Sequence, residues 1–188
     1  MVVLLGGSSH VGKTMIARKL VRKYGWELIS LDFLKDAFIR SQLGDPGDRN
    51  DYEMRYWMWP LVAQIVKRAL ESDRNVILEG CYIPAEWADS FTPAELREIR
   101  TVFIVMSEIH IRTNIDAIMR TSQIVEKRQN DVVDMDRLIG CSREFKEDCI
   151  RTGTFYIEID GPYDDESLFD AVDSVIQDDD HREKGIIL

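Results

Sequence analysis

Apolar residues recur along this chain in two rhythms. Short unbroken apolar runs alternate with longer stretches in which apolar positions return every three or four residues. The unbroken runs predict buried strands and the longer stretches predict helices. Val2-Val3-Leu4-Leu5 is the first strand, and a helix is predicted from Lys13 to about Tyr24, with Ile16, Leu20 and Val21 on one face. Lys19, Arg22 and Lys23 suit its later turns, and Gly25 fits its C-cap. Trp26–Leu31 predicts a second strand that ends at Asp32, followed by a helix over about 33–43 and a turn at Gly44-Asp45-Pro46-Gly47-Asp48. A long helical stretch runs over about 51–72, kinked or restarted at Pro60.

The rhythm then repeats. Asn75–Gly80 reads as a strand, two short helical pieces flank Phe91-Thr92-Pro93, and Thr101–Met106 reads as a fourth strand. A polar, charge-mixed region from Ser107 to about Asp136 precedes a helix over Met135 to about Arg151. Phe155–Asp160 is a fifth strand, broken by Gly161-Pro162, and the last helix covers about 166–177. The tail, 178–188, is charged and expected to be mobile, with an apolar end able to dock or swap. Buried strands alternating with helices imply a mostly parallel sheet covered on both faces. Ligands bind such sheets at the carboxyl ends of the strands.

Composition narrows the class. The 188 residues, 45% hydrophobic and 31% charged, suit one globular domain, and no apolar run approaches membrane-spanning length. A net charge of −10 argues against a nucleic-acid backbone as the main partner, but leaves nucleoside triphosphates open, because a local cluster of donors suffices for them. Cys81, Cys141 and Cys149 lack close pairing, which suggests free thiols in a reducing compartment, and His110 and His181 show no metal-ligand spacing. The N-terminus lacks the pattern of a signal peptide, so a cytoplasmic protein is expected.

Gly7-Ser8-Ser9-His10-Val11-Gly12-Lys13-Thr14 fits G-x-x-x-x-G-K-[ST] at every fixed position, and it lies between a predicted strand and a predicted helix. Backbone N–H groups of such a loop ring a phosphate, and the helix N-terminus adds partial positive charge. Lys13 is expected to reach the terminal phosphates, and Thr14 to hold Mg²⁺ through its hydroxyl. His10, inside the loop, is either a solvent-facing residue or a phosphate or substrate contact.

Further candidates follow the strands. Asp32 could accept a proton from a substrate hydroxyl, or cap the next helix; the roles are compatible. Glu79 fills the position of a Walker B acid, able to hold Mg²⁺ or touch substrate, against the alternative of a solvated strand-end acid. Arg40, and less so Lys35, could grip a substrate anion or lie on a solvated face. Tyr52, Arg55, Tyr56, Trp57 and Trp59 form either an aromatic wall for a flat substrate, with Arg55 beside it, or ordinary core, and core is the commoner fate of such spacing. Arg112, Arg120, Lys127 and Arg128 stand where a mobile lid could bring cations onto a transferred phosphoryl group.

The Gly7–Thr14 loop, Asp32 after the second strand, Glu79-Gly80 after the third and the arginine-bearing segment after the fourth together resemble the P-loop kinases that include adenylate, shikimate and gluconate kinases and the zeta-toxin group. Gly6-Gly7-Ser8-Ser9 with Asp32 and Arg40 is also similar to the 2-phosphoglycerate kinase type. The resemblance implies a three-layer α/β P-loop fold with a five-stranded parallel sheet, order 2-3-1-4-5, in a single domain over 1–177. It implies a substrate-binding insert at about 33–72 and a lid at about 113–136. It implies ATP and Mg²⁺, Arg112 near the adenine, and Arg120 or Arg128 on phosphates. His10-Val11 and Glu79-Gly80 depart from the adenylate kinase pattern.

The expected activity is transfer of the γ-phosphoryl group of ATP to a small-molecule acceptor, by a monomer or homodimer. Lys13, Asp32, Arg120 and Arg128 are the catalytic candidates. Residues 7–14 and Arg112 are expected to bind nucleotide, Thr14 and Glu79 the metal, and Asp32, Arg40, Arg55 and Glu79 the acceptor. A nucleoside monophosphate kinase, a nucleotide-gated binding module and a zeta-toxin-like sugar-nucleotide kinase are the alternatives.

Overall fold

The computed structural model describes residues 1–41, 47, 49–126, 134–178 and 186–188. β1 (Val2–Gly7) is buried along its whole length and lies at the centre of the sheet. Its side chains alternate between two cores, as the pleat requires. Val2 and Leu4 join Met54, Met58, Val62 and Val66 of α3 (Asp51–Glu71) on one face. Val3 and Leu5 join Ile16 and Leu20 of α1 (Lys13–Tyr24) and Leu168, Val172 and Ile176 of α7 (Asp165–Gln177) on the other. The four-residue spacing of the α3 methionines and valines is the apolar stripe that lays this helix on the sheet.

The remaining strands are β2 (Glu27–Ser30), β3 (Val76–Glu79), β4 (Ile99–Met106), β5 (Tyr156–Ile159) and β6 (Ile186–Ile187). The order is β2-β3-β1-β4-β5-β6, and every pairing is parallel. The expected five-strand order is present, but the sheet has six strands, which corrects the expected count. The apolar end of the tail makes the difference: Leu188 N–H donates to Glu158 O at 2.9 Å, and its carbonyl accepts from Asp160 and Gly161 N–H at 2.8 and 3.0 Å. Those bonds use the polar edge that β5 leaves unpaired. Residues 179–185, His181 among them, lie outside the described residues.

Helix ends follow local chemistry. Gly25 caps α1 at φ 70°, its N–H donating to Val21 O at 2.8 Å. Asn50 and Glu53 form a reciprocal capping box at the start of α3. α3 runs through Pro60 as one helix rather than restarting there. α2 spans Leu31–Ser41, so Asp32 is the second residue of a helix and not the residue preceding one. Most of the predicted turn at 44–48 lies outside the described residues. The polar, charge-mixed region after β4 opens as a helix, α5 (Glu108–Glu126), with non-helical backbone at Asn114 (φ −117°, ψ 15°). A 3₁₀ turn (Trp87–Ser90), α4 (Pro93–Leu96) and α6 (Met135–Thr152) complete the fold.

Candidate functional site

The strand order decides where a site can form. From β1 the chain crosses to β2 on one side of the sheet, and from β3 it crosses β1 to reach β4 on the other. A crevice opens outside the carboxyl ends of the strands where the direction reverses. The loop between β1 and α1 lies there.

The loop is shaped by close approach and left-handed backbone. Gly7 has φ 114°, and a Cβ on it would lie 2.0 Å from Ile104 O, which accepts a 2.9 Å bond from Ser8 N–H. No side chain other than hydrogen fits. Gly12 has φ 86°, and Tyr163 Oη stands 2.5 Å from where its Cβ would be. His10 is also left-handed, at φ 63°. Gly12 precedes α1 with no side-chain cap, so the N–H groups of the first helical turn remain for a ligand. Together these features fit an anion such as a phosphate.

Lys13 folds back over the loop. Its Nζ donates to Ser8 O at 2.5 Å and to Cys81 Sγ at 3.3 Å. Burial disfavours the ammonium, but Cys81, Glu79 and Asp32 outweigh it, so its pKa lies above the ordinary lysine value. Thr14 Oγ1 donates to Glu79 Oε2 at 3.2 Å. Glu79, at the end of β3, is buried, and burial raises its pKa against the opposing hydrogen bonds from Ser30 and Thr14 and the charge of Lys13. A hydroxyl and a carboxylate in contact, both hard oxygen donors, suit Mg²⁺ in the crevice.

Beside the loop is a cleft of about 430 Å³, lined in part by Ser9, His10, Tyr52, Arg55, Cys81 and Glu144. Arg55 is fully buried and lies between aromatic rings, its guanidinium carbon 3.7 Å from the Phe145 ring centroid and 5.0 Å from that of Tyr52. It is 3.5 Å from Asp148 and 3.9 Å from Glu144. The aromatic group therefore divides. Trp59 belongs to the core with Trp57 packed against it, Tyr56 is exposed, and Tyr52 and Arg55 line the cleft.

Other candidates lie elsewhere. Arg40 is exposed in the last turn of α2 and does not line the cleft. Lys35 Nζ donates to Tyr82 Oη at 2.7 Å. Arg112 is exposed and pairs with Glu108 at 2.8 Å, one turn away on α5. Arg120 is exposed, its Nε donating to Asp116 O at 3.1 Å. Lys127 and Arg128 lie outside the described residues. His110 is buried, with Nδ1 2.7 Å from Gly161 O. The three cysteines are free thiols.

Several contacts around the loop and the cleft carry no sequence signal. Ser142 on α6 donates from Oγ to Met106 O at 2.8 Å and accepts from Met106 N–H at 2.7 Å. The same oxygen is 3.2 Å from Ser8 Oγ, which ties α6 to the end of β4 and to the loop. Arg137, at the start of α6, pairs with Asp51 of α3 at 2.5 Å, and both line the cleft. Neither spacing nor periodicity predicts these contacts.

No protein-family model matches the chain, and no curated protein matches it. Solved structures do. Deoxyadenosine kinase from M. mycoides is 10% identical, with a TM-score of 0.56 over 94% of this chain and 99% of its own. Shikimate kinase from Bacteroides thetaiotaomicron is 18% identical, with a TM-score of 0.55 over 94% and 98%. A gluconokinase from Sinorhizobium meliloti 1021 is 17% identical, with a TM-score of 0.53 over 94% and 90%. Among the described residues no helix is long and apolar enough to cross a membrane. These three solved structures are P-loop small-molecule kinases, and this chain has their fold.

Proposed function

We propose that the chain is an ATP- and Mg²⁺-dependent kinase that moves a phosphoryl group to a hydroxyl of a small molecule in the 430 Å³ cleft. The observation that carries this is one juxtaposition. The uncapped start of α1, the Lys13 ammonium and the Thr14–Glu79 pair converge beside a cleft large enough for a small molecule. A bound Mg²⁺ would offset phosphate charge, and Thr14 and Glu79 would hold it.

The chain's own groups supply the rest. The loop N–H groups and Lys13 bind the phosphates and stabilise the charge that gathers on the oxygens during transfer. Asp32, near enough to Lys13 and Glu79 to raise both pKa values, orients the acceptor hydroxyl and accepts its proton. Arg55 holds the acceptor, with the ring faces of Tyr52 and Phe145 fixing its plane. α2 and α3 form the acceptor-binding insert (about 33–72). The segment at about 113–136 is the lid, and Arg120 and Arg128 of that lid are the cations proposed for the transferred group. The break in α5 at Asn114 falls at its start. Arg112 is the residue proposed beside the adenine. The protein is proposed to work in the cytoplasm, as a monomer or homodimer.

The test is ADP production and product mass with Mg-ATP and pooled hydroxyl acceptors, with Lys13→Ala in parallel. Acceptor-dependent ADP that disappears in the variant supports the reading. Nucleotide binding with no acceptor-dependent product refutes it in favour of a nucleotide-gated binding module.

A further inference from the structure

The cleft's charge is unusual for a site built to hold an anion. Among the described residues, its lining carries two arginines, Arg55 and Arg137, and three carboxylates, Asp51, Asp134 and Glu144. Asp148, outside the lining, is 3.5 Å from Arg55 and is paired in turn with Arg151 at 2.7 Å, so it leaves that balance unchanged. Both arginines already face acids: Arg137 faces Asp51, and Arg55 faces Asp148 and Glu144. The Arg137–Asp51 pair is exposed and cheap to open, but a displaced Asp51 stays in the cleft, so opening the pair leaves the charge balance unchanged. Arg55 itself is buried; taking it away leaves Asp148 to Arg151 and leaves the half-exposed Glu144 without that cation, so the cleft becomes more negative.

One donor in this lining is unused. Arg55 is fully buried, and its Nε has no hydrogen-bond partner within the protein. An oxygen acceptor entering the cleft, from a ligand or a water, would satisfy a buried N–H of that kind. A hydroxyl oxygen meets the need without adding charge, and its own proton can be donated to a carboxylate such as Glu144.

We infer that the phosphoryl acceptor is a hydroxyl compound with no net negative charge, either uncharged or bearing an amine. It is held by hydrogen bonds to Arg55 and the cleft carboxylates rather than by an arginine clamp on an acceptor anion. This rests on the kinase reading above.

The experiment has two arms, so that the two readings fail separately. In the first, Mg-ATP turnover is measured with acceptors matched in skeleton and differing in charge: glucosamine, glucose and gluconate, and adenosine against AMP. The uncharged or amine-bearing member is expected to have the higher kcat/KM, by about tenfold. A higher kcat/KM for gluconate or AMP overturns the inference. No turnover with any of them counts against the kinase reading, and the second arm then decides the charge class alone.

The second arm needs no turnover. Cys141 lines the cleft and is a free thiol. Its thiolate attacks the thio sulfur of a methanethiosulfonate reagent, forming a mixed disulfide and expelling methanesulfinate. Labelling rates at Cys141, located by peptide mass, are compared for a trimethylammonium and a sulfonate reagent, each normalised to free cysteine. The cationic reagent is expected to be favoured about tenfold, and Asp51→Asn or Glu144→Gln to narrow that ratio about threefold. A normalised preference for the sulfonate overturns the inference.

Discussion

Glu79 links the chemistry of the site to the stability of the fold with opposite signs. It is 1% exposed, accepts a 3.2 Å bond from Thr14, and has a raised pKa because burial outweighs its favourable contacts. A carboxyl whose pKa is raised by folding binds its proton more tightly in the native state than in the unfolded state. Above its native pKa the ionised group therefore subtracts stability, and that penalty fades as pH falls through the native value. Glu79→Gln keeps the shape and removes the charge. Replacing an incompletely compensated buried charge is worth about 1 kcal/mol, a rise in Tm of about 2–4 °C for a chain of this length. The same change removes a proposed Mg²⁺ ligand, so kcat should fall about 10²- to 10³-fold. Thermal unfolding of both proteins from pH 4, below the unfolded-state pKa of a glutamate, to pH 8, with steady-state kinetics at pH 7.5, tests both halves. The Tm gap is expected at neutral pH and should close on acidification. A variant that is less stable at pH 7.5, with a gap that does not close, would show that the contacts with Lys13, Thr14 and Ser30 outweigh burial, and would refute the reasoning.

Three further outcomes follow from the geometry. Gly7→Ala puts a Cβ 2.0 Å from a backbone oxygen at a φ of 114°, and urea unfolding should show a loss of about 3 kcal/mol or more. A chain lacking residues 186–188 loses the three bonds of Leu188 to β5 and its following turn, and calorimetry should show a loss of about 1 kcal/mol. Arg55→Met keeps the apolar stack on Phe145 and leaves Asp148 paired with Arg151 at 2.7 Å, so stability should change by no more than about 1 kcal/mol. Acceptor KM should rise about tenfold in that variant while nucleotide affinity, read by titration calorimetry, stays unchanged.

What the sequence determined by itself was local. Residues 7–14 carry their conformation in their glycines, and the unbroken runs of β1, β3 and β4 announce strands buried on both faces. The C-cap at Gly25 and the short helices around Thr92 follow from side-chain chemistry within a few residues. Helix boundaries were less legible. α2 begins at Leu31 because its first turn packs directly after β2, so Asp32 enters the helix itself. The tertiary structure alone decided what depends on distant segments meeting. It joined the tail to β5 as a sixth strand, because two apolar residues with little intrinsic signal found an unpaired edge. It divided the Tyr52–Trp59 cluster between core and cleft, because helical periodicity gives a face but not what that face meets. It brought Cys81 to 3.3 Å from Lys13 and the Ser142 hydroxyl to 3.2 Å from that of Ser8, across 68 and 134 residues of chain. The phosphate loop is written in consecutive residues, whereas the cleft and its excess of carboxylates are assembled from four separate stretches of chain, and only packing fixes their mutual distances.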